Sequence, residues 1–351
     1  MLSPGNDDER LNFGVPLVFI LSSSEEESEA SSSAAGRVLE VDRRGGAEFA
    51  SLREAAKASG PGDVIRIAPG SGPYREVLEI TNSGRAGAPI VVEGNGELVT
   101  GFEPLEGFRK SGDAYVCDLP VEFPFVLTHK GERVAQDAET KQFGELAKLS
   151  EDQRQLQLLP GVSPESWEIS TRTYVVKVWN VSHHIYRDLR ASGAQNDAFN
   201  LHGVGEHLVF ENVEGFHSLD EGFSAHDDIS CEVHGGEFYG NDNGLVNIAD
   251  SKMVASNLEI RGNLGWGLYL LDCEAVLDDV LVEENGLAQI MVANSVVEWN
   301  HVTAVMPSWN DRRWVTYNES SGKEPAKAPL VTDRRSQVSG TLPKLVGGSD
   351  E

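Results

Sequence analysis

Certain side chains that move protons recur in this chain at intervals that a regular backbone would bring together. His202 and His226 lie 24 residues apart, and so do Asp197 and Glu221. Lys177 precedes Asn200 by nearly the same interval. Histidine, lysine and carboxylates are the usual general acids and bases, and a pair of carboxylates is the equipment of glycosidic hydrolysis. Trp266 and Tyr269, further along, could lay aromatic faces against a sugar ring.

Something must hold these residues in register, and the sequence contains it. Six aliphatic residues are each followed three positions later by an acid or an amide: Ile185…Asp188, Val209…Asn212, Ile229…Glu232, Val254…Asn257, Val276…Asp279 and Val297…Asn300. A second column runs in phase with them: Ala198-Phe199, Gly222-Phe223, Gly244-Leu245, Gly267-Leu268 and Gly286-Leu287. Two columns with one shared period of roughly 22 residues mark the turns of a solenoid. Gly, Asn and Asp punctuate the units and no helix-length pattern separates them. The expected architecture is therefore all-β, a single-stranded parallel β-helix.

Strand alternation turns the columns into a surface map. Phe199, Phe223, Leu245, Leu268 and Leu287 should point into the stack, together with Val209, Ile229, Val254 and Val276. Asn200 and His202, Ser224 and His226, Val246 and Ile248, then Tyr269 and Leu271 should point out. Asp197, Glu221, Asn243 and Trp266 fall at corners. Neighbouring coils lie about 4.8 Å apart, so His202 should stack over His226 and Asp197 over Glu221. We expect one exposed groove with His226, His202, Tyr269, Lys177, Asp197 and Glu221 in catalytic roles and Asn200, Trp266 and Asn243 against substrate. Asp227-Asp228 has three open readings: a corner turn, ligands for a calcium ion together with Asp250 or Asp242, or a catalytic acid.

Residues 1–36 read as a leader. An apolar run from Phe13 to Leu21 precedes a Ser/Glu/Ala tract, which suits a signal peptide and export, secreted or periplasmic, although Asp7-Asp8-Glu9 stands where positive charge belongs. The ordered chain begins near Arg37, with strands at Val38–Val41, Val64–Ile67 and Ile90–Glu93 and an amphipathic helix over Ala47–Ser59. Residues 102–172 break the period as an excursion, with β structure around Phe125–Val134 and a polar helical segment over Glu145–Leu158. The repeat ends near Val305. Trp309, Trp314 and Tyr317 then cap the stack, and Lys323–Glu351 forms an irregular tail.

The run FASLREAAKASGPGDVIRIAPGSGPYREVLEI, continued by SGRAGAPIVVEGNG, resembles the N-terminal cap and first coils of the pectate-lyase-like right-handed β-helix superfamily. That resemblance covers about 37–305 and implies a cap helix sealing one end. Gly222-Phe223-Ser224-Ala225-His226-Asp227 resembles a motif of the alginate lyase and mannuronan C5-epimerase branch, with Ser224-Ala225 where that branch usually carries Asp-Pro. By that resemblance His226 takes part in abstracting a uronate C5 proton. Asn200, His202 or Lys177 would then hold the carboxylate, and Tyr269 would supply the acid.

Composition sets limits. Asp and Glu total 56 against 29 Lys and Arg, a net charge of −27, which repels nucleic acid and anionic membranes. No apolar run is long enough to span a bilayer. Cys117, Cys231 and Cys273 have no metal-binding spacing and read as small buried hydrophobes. The expected partner is a polysaccharide or oligosaccharide met by a monomer, with calcium as the one cofactor in view. Three functions remain: a lyase or epimerase, a glycoside hydrolase using Asp197 and Glu221, and a non-catalytic carbohydrate-binding β-helix.

Overall fold

The computed structural model describes residues 36–307 and 314–347. The leader and Trp309 fall outside them. Short strands rich in Val, Ile, Leu and Phe stack in parallel into two long sheets. The first has eight strands, which follow one another in space as Leu78–Glu79, Val176–Trp179, Phe199–His202, Glu221–Ala225, Asn243–Ile248, Trp266–Leu271, Ala288–Ala293 and Leu330–Thr332. The second has 14 strands and includes the long ones Val204–Phe216, Asp228–Tyr239, Lys252–Arg261 and Glu274–Glu283. Every coil-to-coil pairing is parallel and one coil out of phase, which makes the molecule a parallel β-helix. Among the described residues no helix is long and apolar enough to cross a membrane.

The core is a continuous apolar column. Phe199, Phe223, Leu245 and Leu268 pair in successive coils and are fully buried, as the alternation predicts. The column continues at Ile290 rather than Leu287. Leu287 donates its amide to the Gly265 carbonyl and so still belongs to the corner; its side chain packs outside, with Trp266 and Tyr269. The other expected column also needs correction. Ile185, Val209, Val254 and Val276 are in register but only half-buried, and they share their row with Glu232 and Glu298. Their neighbours Leu208, Phe210, Met253, Ala255, Ala275 and Leu277 fill the interior, as do Ile229 and Val297 at other rows. Four of the six polar members mark local bends in the backbone. Asp188, Asn212, Asn257 and Asp279 all adopt left-handed φ of 48–56°, which Asn and Asp tolerate better than other non-glycine residues. Inside the next corner Asn241, Asn263 and Asn285 form a fully buried amide ladder, each side-chain oxygen accepting from the coil before it.

The cap helix spans Leu52–Ala58. It starts later than the apolar pattern suggests because Phe49 is held in a β-bridge to Val41. Glu76 accepts from the amides of Leu52 and Arg53 at 3.0 Å, satisfying donors that a helix start leaves open. Within the excursion, Glu145–Leu158 is not helical. Ala147–Leu149 and Gln155–Leu158 pair antiparallel in a five-stranded sheet, and burial of Ala147, Leu156 and Leu158 in a separate small core outweighs the helical propensity of the intervening polar residues. The C-terminal stretch is not an irregular tail. Leu330–Thr332, Gln337–Gly340 and Lys344–Val346 pair in parallel with the coil before them and add one more turn to the stack.

Candidate functional site

The candidate residues gather on the outer face of the eight-stranded sheet, at the coils that begin near Tyr174, Asp197 and Asp220. Lys177, Asn200 and Ser224 occupy one row, and Trp179 and His202 the next. The two expected ladders behave differently. The imidazoles of His202 and His226 stack with centroids 4.0 Å apart and planes 11° from parallel. Trp179 meets His202 edge-on at 5.4 Å, donates its indole N–H to Asn200 Oδ1 at 2.6 Å and remains 36% exposed. Lys177 Nζ lies 4.1 Å from the Trp179 ring centre and 2.8 Å from Glu79. Burial, with the His202 ring as second cause, lowers His226 to about 4, so it is a neutral base at neutral pH.

Asp197 and Glu221 also stack, but they do not lie in an open groove. Together with Asp220 they form a trio whose carboxyl oxygens lie within 4.8 Å of one another, and their exposures are 1%, 4% and 4%. Close packing at Gly222, inside the strand Glu221–Ala225, leaves no room for a side chain beside them. A Cβ on Gly222 would fall 2.6 Å from Asn241 Nδ2 and 2.8 Å from the Gly215 carbonyl. Three donors converge on Asp197: Asn200 Nδ2 at 2.5 Å, Ser224 Oγ at 2.6 Å and the Glu221 amide at 3.2 Å. Glu221 accepts from Asn243 Nδ2 at 3.0 Å, which gives Asn243 a buried structural contact rather than an exposed one. Desolvation, followed by the nearby Asp197 carboxylate, raises Asp220 to about 8 and pushes Glu221 well above the ordinary range. Asp220 therefore holds a proton at neutral pH.

The trio is roofed from two directions. Asn318 donates to Asp220, and Ser320 Oγ and the Tyr317 amide donate to Asp242 in the following coil. The roof is tied to the excursion through Val315 N to Gln136 O at 2.9 Å and the Phe123–Tyr317 ring contact at 6.3 Å. From the same excursion Arg133 reaches the Ser218 and Gly240 carbonyls at 2.8 and 2.6 Å.

The other candidates lie elsewhere. Trp266 and Tyr269 are only 8% exposed, their rings tilted 38° with centroids 4.4 Å apart, and pack against Ala326 and Val331, so they are not an open sugar platform. Asp227 is a corner residue with φ 59°; its carboxylate accepts from the Gly203 amide and His202 Nδ1. It does not gather with Asp228 and Asp250 into a cation cage. Sequence reasoning missed Trp179, although alternation from Lys177 already places it outward. It also missed Tyr174, whose ring lies 5.6 Å from Trp179 and whose pKa is raised first by burial and then by Asp197 and Asp220. Asp220 was legible as well, because Asn196, Asp220 and Asp242 repeat with the coil period.

No family model and no curated protein matches the chain. Solved structures of similar shape include the complex of XylC with xylose, at 12% identity over 78% of this chain and 69% of that one, TM-score 0.49. Pectate lyase Pel9A has 14% identity over 88% and 78%, TM-score 0.41. The alginate lyase from Paenibacillus sp. str. FPU-7 has 11% identity over 88% and 99%, TM-score 0.34.

Proposed function

We propose that this protein is a carbohydrate-active β-helix enzyme that hydrolyses a neutral glycan, with Asp197 and Glu221 as its reacting pair. The observation that carries the reading is the division of labour between two carboxyls on adjacent coils. Burial, and then the Asp197 carboxylate, raises the proton affinity of Glu221, which suits it to give a proton to the glycosidic oxygen. Asp197 is set by three donors as the acceptor of the pair and can attack the anomeric carbon. Carboxyl oxygens within 4.8 Å suit the close spacing of retaining enzymes, about 5 Å, and leave no room for a water between acid and base. Glu221 would then take a proton from the water that releases the sugar from Asp197. Trp179 and Tyr174 provide aromatic surface beside the pair, and sugar would approach from their side because Asn318 and Ser320 roof the other. The net charge of −27 and the pairing of Lys177 with Glu79 favour an uncharged substrate over a polyuronate.

One observation favours a second reading as a uronate lyase or epimerase. The oxygen-only donors of Asp197, Asp220 and Glu221 fit a hard cation such as calcium, which would neutralise a substrate carboxylate while His226 takes the C5 proton. Incubation with neutral and uronate polysaccharides, with calcium and with chelator, separates the two. Hydrolysis predicts new reducing ends without ultraviolet absorbance, unaffected by chelator and lost in Asp197→Asn and Glu221→Gln. Calcium-dependent absorbance lost in His226→Ala would replace the hydrolase reading with the lyase. Activity undiminished in all three variants would remove both.

A further inference from the structure

A second cluster of ligating side chains lies apart from the carboxylate trio, at the bend that leads into the 14-stranded sheet. His183 and His207 occupy equivalent positions in successive coils. Their imidazoles stack with centroids 4.5 Å apart and planes 14° from parallel. Both residues have left-handed φ, 58° and 54°, and the second lies in a β-bulge where the pairing shifts between Gly205 and Leu208. A bulge re-aims side chains, and here it turns His207 out beside His183. Glu206 precedes His207, and its amide is fixed by Ser182 Oγ of the coil below at 3.1 Å. Ligand atoms of His183, Glu206 and His207 all come within 4.8 Å of one another.

Several other histidines are engaged in hydrogen bonds. His184 bonds Tyr186 and the Asn82 carbonyl, His234 bonds Ser256 and Glu232, and His301 bonds Asp278. Among the described residues the rings of His183 and His207 have only each other. We propose that His183, His207 and Glu206 form a binding site for a divalent transition-metal ion of the zinc class. Two imidazoles and one carboxylate match zinc preferences, and calcium would want more oxygens. Zinc–nitrogen bonds of about 2.0–2.1 Å put two tetrahedral ligands roughly 3.3 Å apart, so closure asks for movements of about 1–1.5 Å. Glu206 and His207 are exposed and His183 half-buried, so side-chain rotation supplies that movement without disturbing the coil. Water would complete the coordination from the open side. No further ligand comes from the next coil, where the bulge is absent and Ser230 leads directly to Cys231.

The test is titration of zinc chloride into chelator-treated full-length protein by calorimetry. We expect one tight equivalent, weakened at least about tenfold in His183→Asn and in His207→Asn, and weakened in Glu206→Gln. Asparagine adopts the left-handed conformation readily, so these variants retain the corner. Glu221→Gln should leave the affinity unchanged. The proposal is overturned by absence of tight binding, or by zinc affinity that survives in the double asparagine variant. Loss of binding in Glu221→Gln alone would place the ion in the carboxylate trio and equally overturn it. Nuclear magnetic resonance of the native protein gives a reading independent of the variants: zinc should shift the imidazole signals of His183 and His207, and unmoved signals there refute the site.

Discussion

Asp220 offers a test of the acid cluster that needs no substrate. Its carboxyl is pushed to about 8 in the folded protein, first by burial and then by Asp197, against an ordinary 3.8. A folded-state value above the unfolded one means that the group stabilises the fold fully below pH 4. That contribution is lost as pH rises towards 8, because the unfolded chain gives up its proton first. Each pH unit inside the window costs about 1.4 kcal/mol per retained proton, so raising the pH from 5 to 7 should remove about 3 kcal/mol through Asp220. The assay is urea denaturation across that range, in chelator, for the native chain and Asp220→Asn. The amide cannot titrate. Any fixed loss from disturbing the Asn196 and Asn318 contacts shifts the variant curve without tilting it. His217, buried and lowered to about 3, acts in the opposite direction: its contribution disappears as pH falls below about 6.5. It is present in both proteins and cancels in the difference. The two curves should therefore converge with rising pH, the native chain losing about 3 kcal/mol more. Parallel curves would mean that Asp220 is ionised throughout, and the account of the trio as a store of protons would fail.

Two further outcomes follow from the packing. Phe223→Ala should cost about 3–5 kcal/mol in the same denaturation assay, because the ring is fully buried and meets Phe210 at 5.0 Å and Phe199 at 5.9 Å; a loss below about 1 kcal/mol would remove it from the core. Trp179→Ala should change stability by less than about 1 kcal/mol yet raise KM for the substrate about tenfold with kcat nearly kept, the pattern of lost uniform binding; an unchanged KM would dismiss the indole as a sugar platform.

How much of this was legible depended on whether a feature repeats. His202 over His226 could be read because the coil between them has constant length, so two residues 24 apart fall in one row of the sheet. Leu287 could not, because its coil keeps Gly286 and Leu287 on the corner and starts its strand at Ala288. The half-exposed row of Val209, Val254 and Val276 reads as core because an aliphatic residue beside a corner looks the same in sequence whichever way it faces. Only the rows of Leu208 and Phe210 on either side reveal the alternation. The roof was the least legible part. Asn318 reaches Asp220 across 98 residues of sequence, and neither the excursion nor the C-terminal segment carries a period from which such a contact could be read.

The hydrogen bonds around the trio also explain how three carboxyls survive together in a buried corner. Ionised, they would repel one another at close range in a poorly solvated corner, and their burial would be costly. The chain limits that cost in two ways. Burial raises the proton affinity of both Asp220 and Glu221, which lessens the repulsion, and Asn200, Ser224, Asn243 and Asn318 donate hydrogen bonds to the cluster. In the following coils the row of Asn200 and Ser224 continues with the apolar Val246 and Tyr269, so the fold itself does not require polar groups on this face. A proton donor and an acceptor held a few ångströms apart, with desolvation setting the donor's affinity, are what acid-assisted cleavage of a glycosidic bond requires. That is the physical reason to look for the activity at Asp197 and Glu221 before the more exposed His202 and His226.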